Sequence, residues 1–524
     1  MFKHFYNFLQ THDLLYRLQA GFRPGQSTVT QLIEIYHQIC VAIDNREFSC
    51  FTFCDISKAF DRVWIKGLIY KLGKYGFKGR VLSWISDYLS SRTQQVKFQE
   101  SASATGHLRA GVPQGSVLGP LFFLIYINDL PDGLLGLTRL FADDTSNSHT
   151  SSNLQNIKDD NDHDLLKIKK WATEWLVDFN PKKTEIMIFG NSSIDYNSLT
   201  FDFDGEIIHP SLTHRHLGII FSADAKWTKH IDSIISKVSK QISVLRKLKY
   251  TINKHFLSNI YLTFIRPSFE YASEVWDNLS NFDEERLEKF QLEAGRIVTG
   301  LPSYCSRAAI YFETGWETLK IRRHNRKLNL MYKVRHNLAP EYLSNLIPDQ
   351  VGSSNSYNLR NSENINIPFC RTSLLQSSFI PSSINAWNEL PLSVRNSTSL
   401  SQFKSKLKPE TCRSTHFDFG DRKLQILHAR LRHGCSTLNG DLYRINVINS
   451  SMCSCGAQDE RALHYFMHCQ QYDIIRRDLF SRLIQIGASP DIGTILYGDP
   501  DLSYANNIDI FKAVHRYISK SKRF

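Results

Sequence analysis

The stretch "RLFADDTSN" (residues 139–147) sets two carboxylates, Asp143 and Asp144, directly behind the apolar run Leu140, Phe141, Ala142. Adjacent anions repel, so a chain that delivers them together at the end of a hydrophobic strand implies a cation to offset their charge. Mg2+ prefers hard oxygen ligands, and two such ions can activate a hydroxyl and stabilise a leaving phosphate. The pair then needs a third carboxylate. One lies upstream in "SCFTFCDISKAFDRVW" (49–64), where strand-like Phe51–Cys54 delivers Asp55 just before a helical stretch carrying Ala59, Phe60 and Val63. Strand ends are where catalytic groups collect in α/β architectures. An Asp-Asp pair alone is weak evidence, and a second one occurs in "IKDDNDHD" (157–164). That pair falls in a polar helix start, where acids favour the helix dipole, and no chemistry is assigned to it.

Between the two acidic strands runs "RAGVPQGSVLGPLFFLIYINDLP" (109–131), with Gly111, Gly115 and Gly119 around a proline and ahead of an apolar helix. Glycines let a backbone come within contact distance of a ligand, and Gln114 offers both a donor and an acceptor. Taken by itself, the segment also reads as a tight loop capped by Ser116.

The whole chain sets the bounds. With 524 residues, 42% hydrophobic and 12% aromatic, it can bury a substantial core in roughly two to four domains. Lys and Arg outnumber Asp and Glu by 63 to 51, a net charge of +12, with a pI near 9.1. Such a surplus suits a polyanionic partner such as nucleic acid, although a merely basic soluble protein has the same balance. No apolar run is long enough for a membrane span, and the start "MFKHFYNFLQTHDLL" has no secretory signature, so an intracellular protein is expected. The 10 cysteines are too few for a disulfide scaffold of this length and mostly scattered.

Hydrophobic runs alternate with helical patterns up to about residue 220, and the chain then turns mostly helical. "KHIDSIISKVSKQISVLRKLKY" (229–250) places Ile231, Ile235, Val238, Ile242 and Leu245 on one helical stripe, with Lys237, Lys240, Arg246, Lys247 and Lys249 elsewhere on the surface. Those cations can face a phosphate backbone or merely solvate a packed helix. "VGSSNSYNLRNSEN" (351–364) reads as a linker or exposed loop. Near the end, "MCSCGAQDERALHYFMHC" (452–469) has the form C-x-C-x8-H-x4-C through Cys453, Cys455, His464 and Cys469. Three thiolates and one imidazole make a closed Zn2+ set, beneath which Leu463 and Phe466 can pack, and His468 is an alternative to His464.

"DISKAFDRV", "AGVPQGSVLGPLFF" and "FADD", in that order, resemble the palm of a reverse transcriptase of the non-LTR (LINE-class) retrotransposons, specifically jockey-like ones. Three further segments extend the resemblance: "LQAGFRPGQSTVTQL" (18–32) is similar to the fingers, "WLVDFNPKKTEIMIFG" (175–190) to the lysine-bearing segment after the catalytic hairpin, and "HRHLGIIF" (214–221) to the primer grip. "FIPSSINAWNELPLSVRNSTSLSQFKSKL" (379–407), "ILHARLRHGCSTLNGDLYRI" (426–445) and the cysteine–histidine segment resemble the family downstream of its polymerase.

The resemblance implies an RNA-directed DNA polymerase that copies an RNA template from a DNA primer or target DNA with dNTPs. Asp55 and Asp143 would hold two Mg2+ ions, or Mn2+, with Asp144 completing the acidic site. Phe60 would exclude a ribose 2′-hydroxyl, Arg23 would contact the triphosphate, and Gln114 and Gly115 would lie near the templating pair. Lys183 would protonate or stabilise the leaving pyrophosphate, with Lys182 as its neighbour and rival. Arg430, Arg432 and His433 are candidates for nucleic-acid contact. The nucleus is the expected place of action. No membrane is implied, and protein partners stay open.

The architecture expected is an α/β (α+β) right-hand polymerase: partial fingers (1–48), palm (49–225), helical thumb and connection (226–350), linker or loop (351–365), an α-rich C-terminal region (366–450), and a zinc knuckle with a terminal helix (451–524). Family members commonly begin with an endonuclease and further fingers segments. Only residues 1–18 precede "QAGFR", so an N-terminally truncated copy is expected, either active or a silent remnant that only binds nucleic acid. A maturase or telomerase on the same palm is the remaining alternative.

Overall fold

The computed structural model of the protein describes residues 1–90, 92–190, 196, 199–353, 361–408 and 415–524. Residues 354–360 of the expected linker and 409–414 of the expected C-terminal region lie outside the described residues. The chain forms two units: one comprises residues 1–230, 272–278 and 326–403, the other 231–271, 279–325 and 404–524. Residues 326–403, which the sequence boundaries spread over thumb, linker and C-terminal region, thus belong with the N-terminal unit.

The first unit is organised by four antiparallel strands, β1 (Phe48–Cys54), β2 (Leu137–Phe141), β3 (Asp144–Ser151) and β4 (Glu185–Phe189), in the spatial order β2-β3-β1-β4. β1 is central and buried on both faces, so its sequence is apolar or small throughout instead of alternating. Cys50 and Cys54 belong to a core shared with α1 (Phe2–Thr11), α3 (Ile65–Lys74), α4 (Gly79–Leu89), α5 (Gly119–Ile127) and α6 (Leu154–Glu174). On the opposite face, the Phe53 ring stacks on His214 at 4.0 Å between centroids. His214 lies in a hairpin of Thr213–His216 and Ile219–Ser222.

Local sequence explains the helices that frame this sheet. α5 is apolar on every side and buried along its length, as expected of a helix enclosed by its neighbours. α2 (Thr28–Asp44) starts with a capping box, Ser27 accepting from Thr30 N while the Thr30 hydroxyl accepts from Ser27 N. At the other end of α2, buried Asp44 accepts from the backbone N–H groups of Arg371 and Thr372, which fastens the 326–403 segment to this unit. α6 carries Asp164, one residue of the "IKDDNDHD" run. It is buried and accepts from Leu135 N (2.9 Å), Gly136 N (2.8 Å) and Asn147 Nδ2 (2.7 Å). Its role is to hold the turn that enters β2.

The second unit is helical. Its basic helix, α7 (Thr228–Leu248), buries Ile231, Ile234, Val238, Ile242 and Leu245. Ile234 therefore takes the inward place expected of Ile235, a shift of 100° that the i+3 and i+7 spacings from Ile231 accommodate. Cys305 and Cys435, scattered in sequence, form a disulfide with a sequence separation of 130 and Cα atoms 6.0 Å apart. No spacing rule could have paired them across that distance. Buried Glu313 gathers Lys254 (3.3 Å), His433 (3.2 Å) and Arg432. Arg432 and His433 are thus engaged by an internal carboxylate and are not free for nucleic acid. Among the described residues, no helix is long and apolar enough to cross a membrane.

Candidate active site

Strand register brings the acidic residues together. Cys54 of β1 faces Thr145 of β3, so the next positions outward, Asp55 and Asp144, emerge side by side. On its other edge β1 pairs Phe53 with Glu185 of β4. Two steps outward along the same ladder set Asp55 level with Lys183, and Lys183 Nζ donates to Asp55 Oδ2 at 2.9 Å. Three strands therefore place Asp144, Asp55 and Lys183 in one row at one end of the sheet.

Asp143 occupies the hairpin between β2 and β3. Phe141 pairs with Asp144, leaving Ala142 and Asp143 as a two-residue loop with Ala142 at φ 57°. Such loops require a positive φ that costs an alanine about 1–2 kcal/mol. The strain puts Asp143 at the tip, beside the other carboxylates. Burial and the charges of Asp143 and Asp55 push the Asp144 carboxyl up to about 6, and burial and the Asp55 charge raise Asp143 as well. Three carboxylates gathered at one sheet end, with Asp143 and Asp144 both raised in proton affinity, form a donor set suited to a hard divalent cation, which removes the repulsion.

The other residues singled out in the sequence are placed as follows. Phe60 is half-buried, with its ring stacked on Phe123 at 5.1 Å and edge-on to Phe22 at 6.0 Å. Its carbonyl accepts from Val112 N at 2.8 Å, so the segment after Asp55 and the glycine-rich loop share one wall. A Cβ on Gly111 would come 2.8 Å from Asp61 O. Gln114 and Gly115 are exposed on that loop, Gly115 at φ 82°. Ser116 Oγ accepts from Gly119 N at 2.9 Å, closing the tight loop expected there just ahead of α5. Arg23 Nη1 donates to Tyr16 O (2.8 Å) and Gln19 O (3.4 Å), and Arg23 lines a cavity of about 910 Å³ with Arg17, Glu34 and Tyr342. Sequence reasoning missed Gln19, whose buried side chain accepts from Ala142 N at 3.0 Å.

In the second unit, the ligand atoms of Cys453, Cys455, His464 and Cys469 lie within 4.8 Å of one another, with Cys455 Sγ to His464 Nε2 at 3.3 Å and Cys453 Sγ to Cys469 Sγ at 3.8 Å. His464, not His468, completes the group. Three sulfurs and one nitrogen at these separations suit a tetrahedral Zn2+. Residues 464–468 form a wide helical turn that directs Tyr465 and Phe466 into the core and leaves Leu463, expected beneath the cluster, exposed. Elsewhere in this unit Arg246, Lys249, Arg296, Arg422 and Arg430 line a cavity of about 470 Å³. Arg430 also caps a helix end through Gly300 O at 2.8 Å.

The sequence profile described as reverse transcriptase (RNA-dependent DNA polymerase) matches residues 3–221. The probable RNA-directed DNA polymerase from transposon BS of Drosophila melanogaster is 27% identical over 62% of this chain and 37% of its own length. The RNA-directed DNA polymerase from mobile element jockey of Drosophila funebris is 28% identical over 55% of this chain and 32% of its own. The chain thus spans about a third of the length of these relatives. Among solved structures, apo telomerase from Candida tropicalis aligns over 59% of this chain and 50% of its own, at 12% identity and a TM-score of 0.35, too loose a superposition to bear on the fold. The matched segment, residues 3–221, contains all three aspartates and the strands that carry them, and in that segment the chain is similar to the reverse transcriptases of jockey and related mobile elements.

Proposed function

We propose that the protein is an RNA-directed DNA polymerase of a non-LTR retrotransposon, extending a DNA primer along an RNA template with dNTPs. The observation that carries this reading is the convergence of Asp55, Asp143 and Asp144 at one sheet end, within a segment that matches the reverse transcriptase profile. In this reading the β1–β4 sheet is the palm, the segment around α2 belongs to the fingers, and α7 opens the thumb. Asp55, Asp143 and Asp144 would hold Mg2+, which supplies activation of a primer hydroxyl and charge neutralisation on the triphosphate. Phe60, with its ring fixed by Phe123 and Phe22, would bar a ribose 2′-hydroxyl by volume. Gln114 and Gly115 would face the templating pair. Lys183, already against Asp55, would hold a proton at Nζ for the leaving pyrophosphate. Arg23 would exchange its two backbone carbonyl partners for triphosphate oxygens.

Cys453, Cys455, His464 and Cys469 would hold Zn2+, which supplies a structural cross-link when bound. The arginine-lined cavity of the second unit and the +12 net charge support phosphate-backbone contacts that set affinity without reading sequence.

The test is primer extension on an RNA template with Mg2+, run beside Asp143→Asn. Synthesis lost in the variant supports the polymerase reading. Equal silence from two folded proteins that still bind nucleic acid selects a catalytically silent binding role in its place.

A further inference from the structure

β2 is the edge strand of the palm sheet, and an edge strand that carries a strained turn has little of its own to hold that turn still. Its open side is taken by residues 18–20. Leu140 N donates to Leu18 O at 3.1 Å, and Ala20 N donates to Leu140 O at 2.8 Å. From the middle of this strap the Gln19 side chain, 2% exposed, reaches the turn itself. Its Oε1 accepts from Ala142 N (3.0 Å) and from Gly21 N (2.8 Å), and its Nε2 donates to Ala142 O at 3.4 Å. Both backbone polar groups of the positive-φ residue are therefore bound by one side chain from 123 positions upstream. Gly21 completes the contact from the backbone side. A Cβ there would lie 2.2 Å from Ala142 N and 2.9 Å from Ala142 Cα, so only glycine permits the approach.

We infer that Gln19 and Gly21 are positioning residues that hold the Ala142–Asp143 turn in its left-handed conformation and so fix the place of the Asp143 carboxylate. The inference rests on the polymerase reading for its effect on rate, but the brace has a physical signature of its own. Without it, Ala142 is free to relax to negative φ, and the Asp143 carboxylate moves with it. An ångström of misplacement at a reacting centre costs roughly a hundredfold in rate.

The experiment compares Gln19→Met and Gly21→Ala with the parent chain by amide hydrogen exchange and by primer extension. Gln19→Met keeps the volume and loses every bond to Ala142, whereas Gly21→Ala keeps Gln19 and pushes on Ala142 N. The expected result is faster exchange confined to the peptide spanning 139–147, with protection of β1 and β4 retained. Primer extension should fall roughly tenfold or more in kcat with KM for dNTP unchanged. Adding Ala142→Gly to Gln19→Met should recover part of that loss, because glycine adopts positive φ without a brace. Unchanged exchange at 139–147, or loss of protection spread over the whole sheet, would overturn the inference, as would a double variant no better than Gln19→Met. A parent chain that makes no DNA defeats the polymerase reading, and the exchange pattern then still decides the brace.

Discussion

Lys183 Nζ lies 2.9 Å from Asp55 Oδ2, and the contact follows from register: the two residues stand level on neighbouring strands, just beyond the last paired positions. Both side chains are substantially exposed, at 65% and 35%, so the pair adds less than about 1 kcal/mol to stability. Lys183→Ala should therefore leave thermal unfolding unchanged while slowing single-nucleotide incorporation roughly tenfold to a hundredfold. Lys182→Ala is the control. Equal losses in the two variants would deny Lys183 a specific role.

Phe60 carries a prediction about sugar choice. Its ring has one neighbour on the face and one at the edge, so it cannot swing aside for a larger sugar. Phe60→Val should raise incorporation of ribonucleotides relative to deoxyribonucleotides roughly tenfold to a hundredfold. Competition between the two in primer extension checks it, and unchanged discrimination would return Phe60 to a packing role.

Asp164 sets an acid limit on the fold. Burial alone would raise its carboxyl, but His149, the N–H groups of Leu135 and Gly136, and Asn147 outweigh that and hold it well below the usual carboxylate range. A carboxyl with a depressed folded-state pKa binds fewer protons folded than unfolded. Its contribution is therefore complete above the unfolded value near 4 and is lost as pH falls toward the folded value. Urea midpoints measured from pH 7 down to pH 3 should drop steeply below pH 4 in the parent chain and less so in Asp164→Asn, which has no proton to take up. Asp164→Ala, leaving two backbone donors and an amide buried without an acceptor, should cost about 3 kcal/mol at pH 7. Parallel pH curves for parent and Asp164→Asn would refute the assignment.

The cysteine–histidine cluster predicts a metal content. Purified protein should carry close to one zinc per chain, and Cys469→Ser should lose it. Chelation should lower the unfolding temperature of the second unit by roughly 5 °C or more and expose the three thiols to alkylation, because the ion and not the backbone joins residues 453 and 469. Thiols that react equally fast before and after chelation would exclude a metal there.

How much of this was legible in the sequence depended on distance. The acidic strand ends could be read because each is an apolar run followed at once by its carboxylate, a local pattern. Lys183 could be named by resemblance, but its contact with Asp55 is a matter of pairing register, which no single strand reveals. Gln19 gave no signal: the Ala142 backbone groups it binds lie over a hundred positions away, and a buried glutamine reads like any polar residue in a loop. Arg432 and His433 misled for the opposite reason, since a basic cluster looks the same whether it faces phosphate or a buried Glu313. The Cys305–Cys435 bond joins residues 130 positions apart, out of reach of any spacing rule.

The row of Asp144, Asp55 and Lys183 has a consequence for which changes this chain can survive. Strand positions alternate between faces with a period of two. Deleting or inserting one residue within Phe48–Cys54 would therefore turn Asp55 away from both neighbours and turn Phe51 and Phe53 out of their packing together. Substitutions along β1 can be absorbed one side chain at a time, whereas a single-codon length change there is all-or-none. Among sequence variants of this chain, length differences should gather in the connections, such as the exposed short strands at residues 93–107, and be missing from the seven residues of β1.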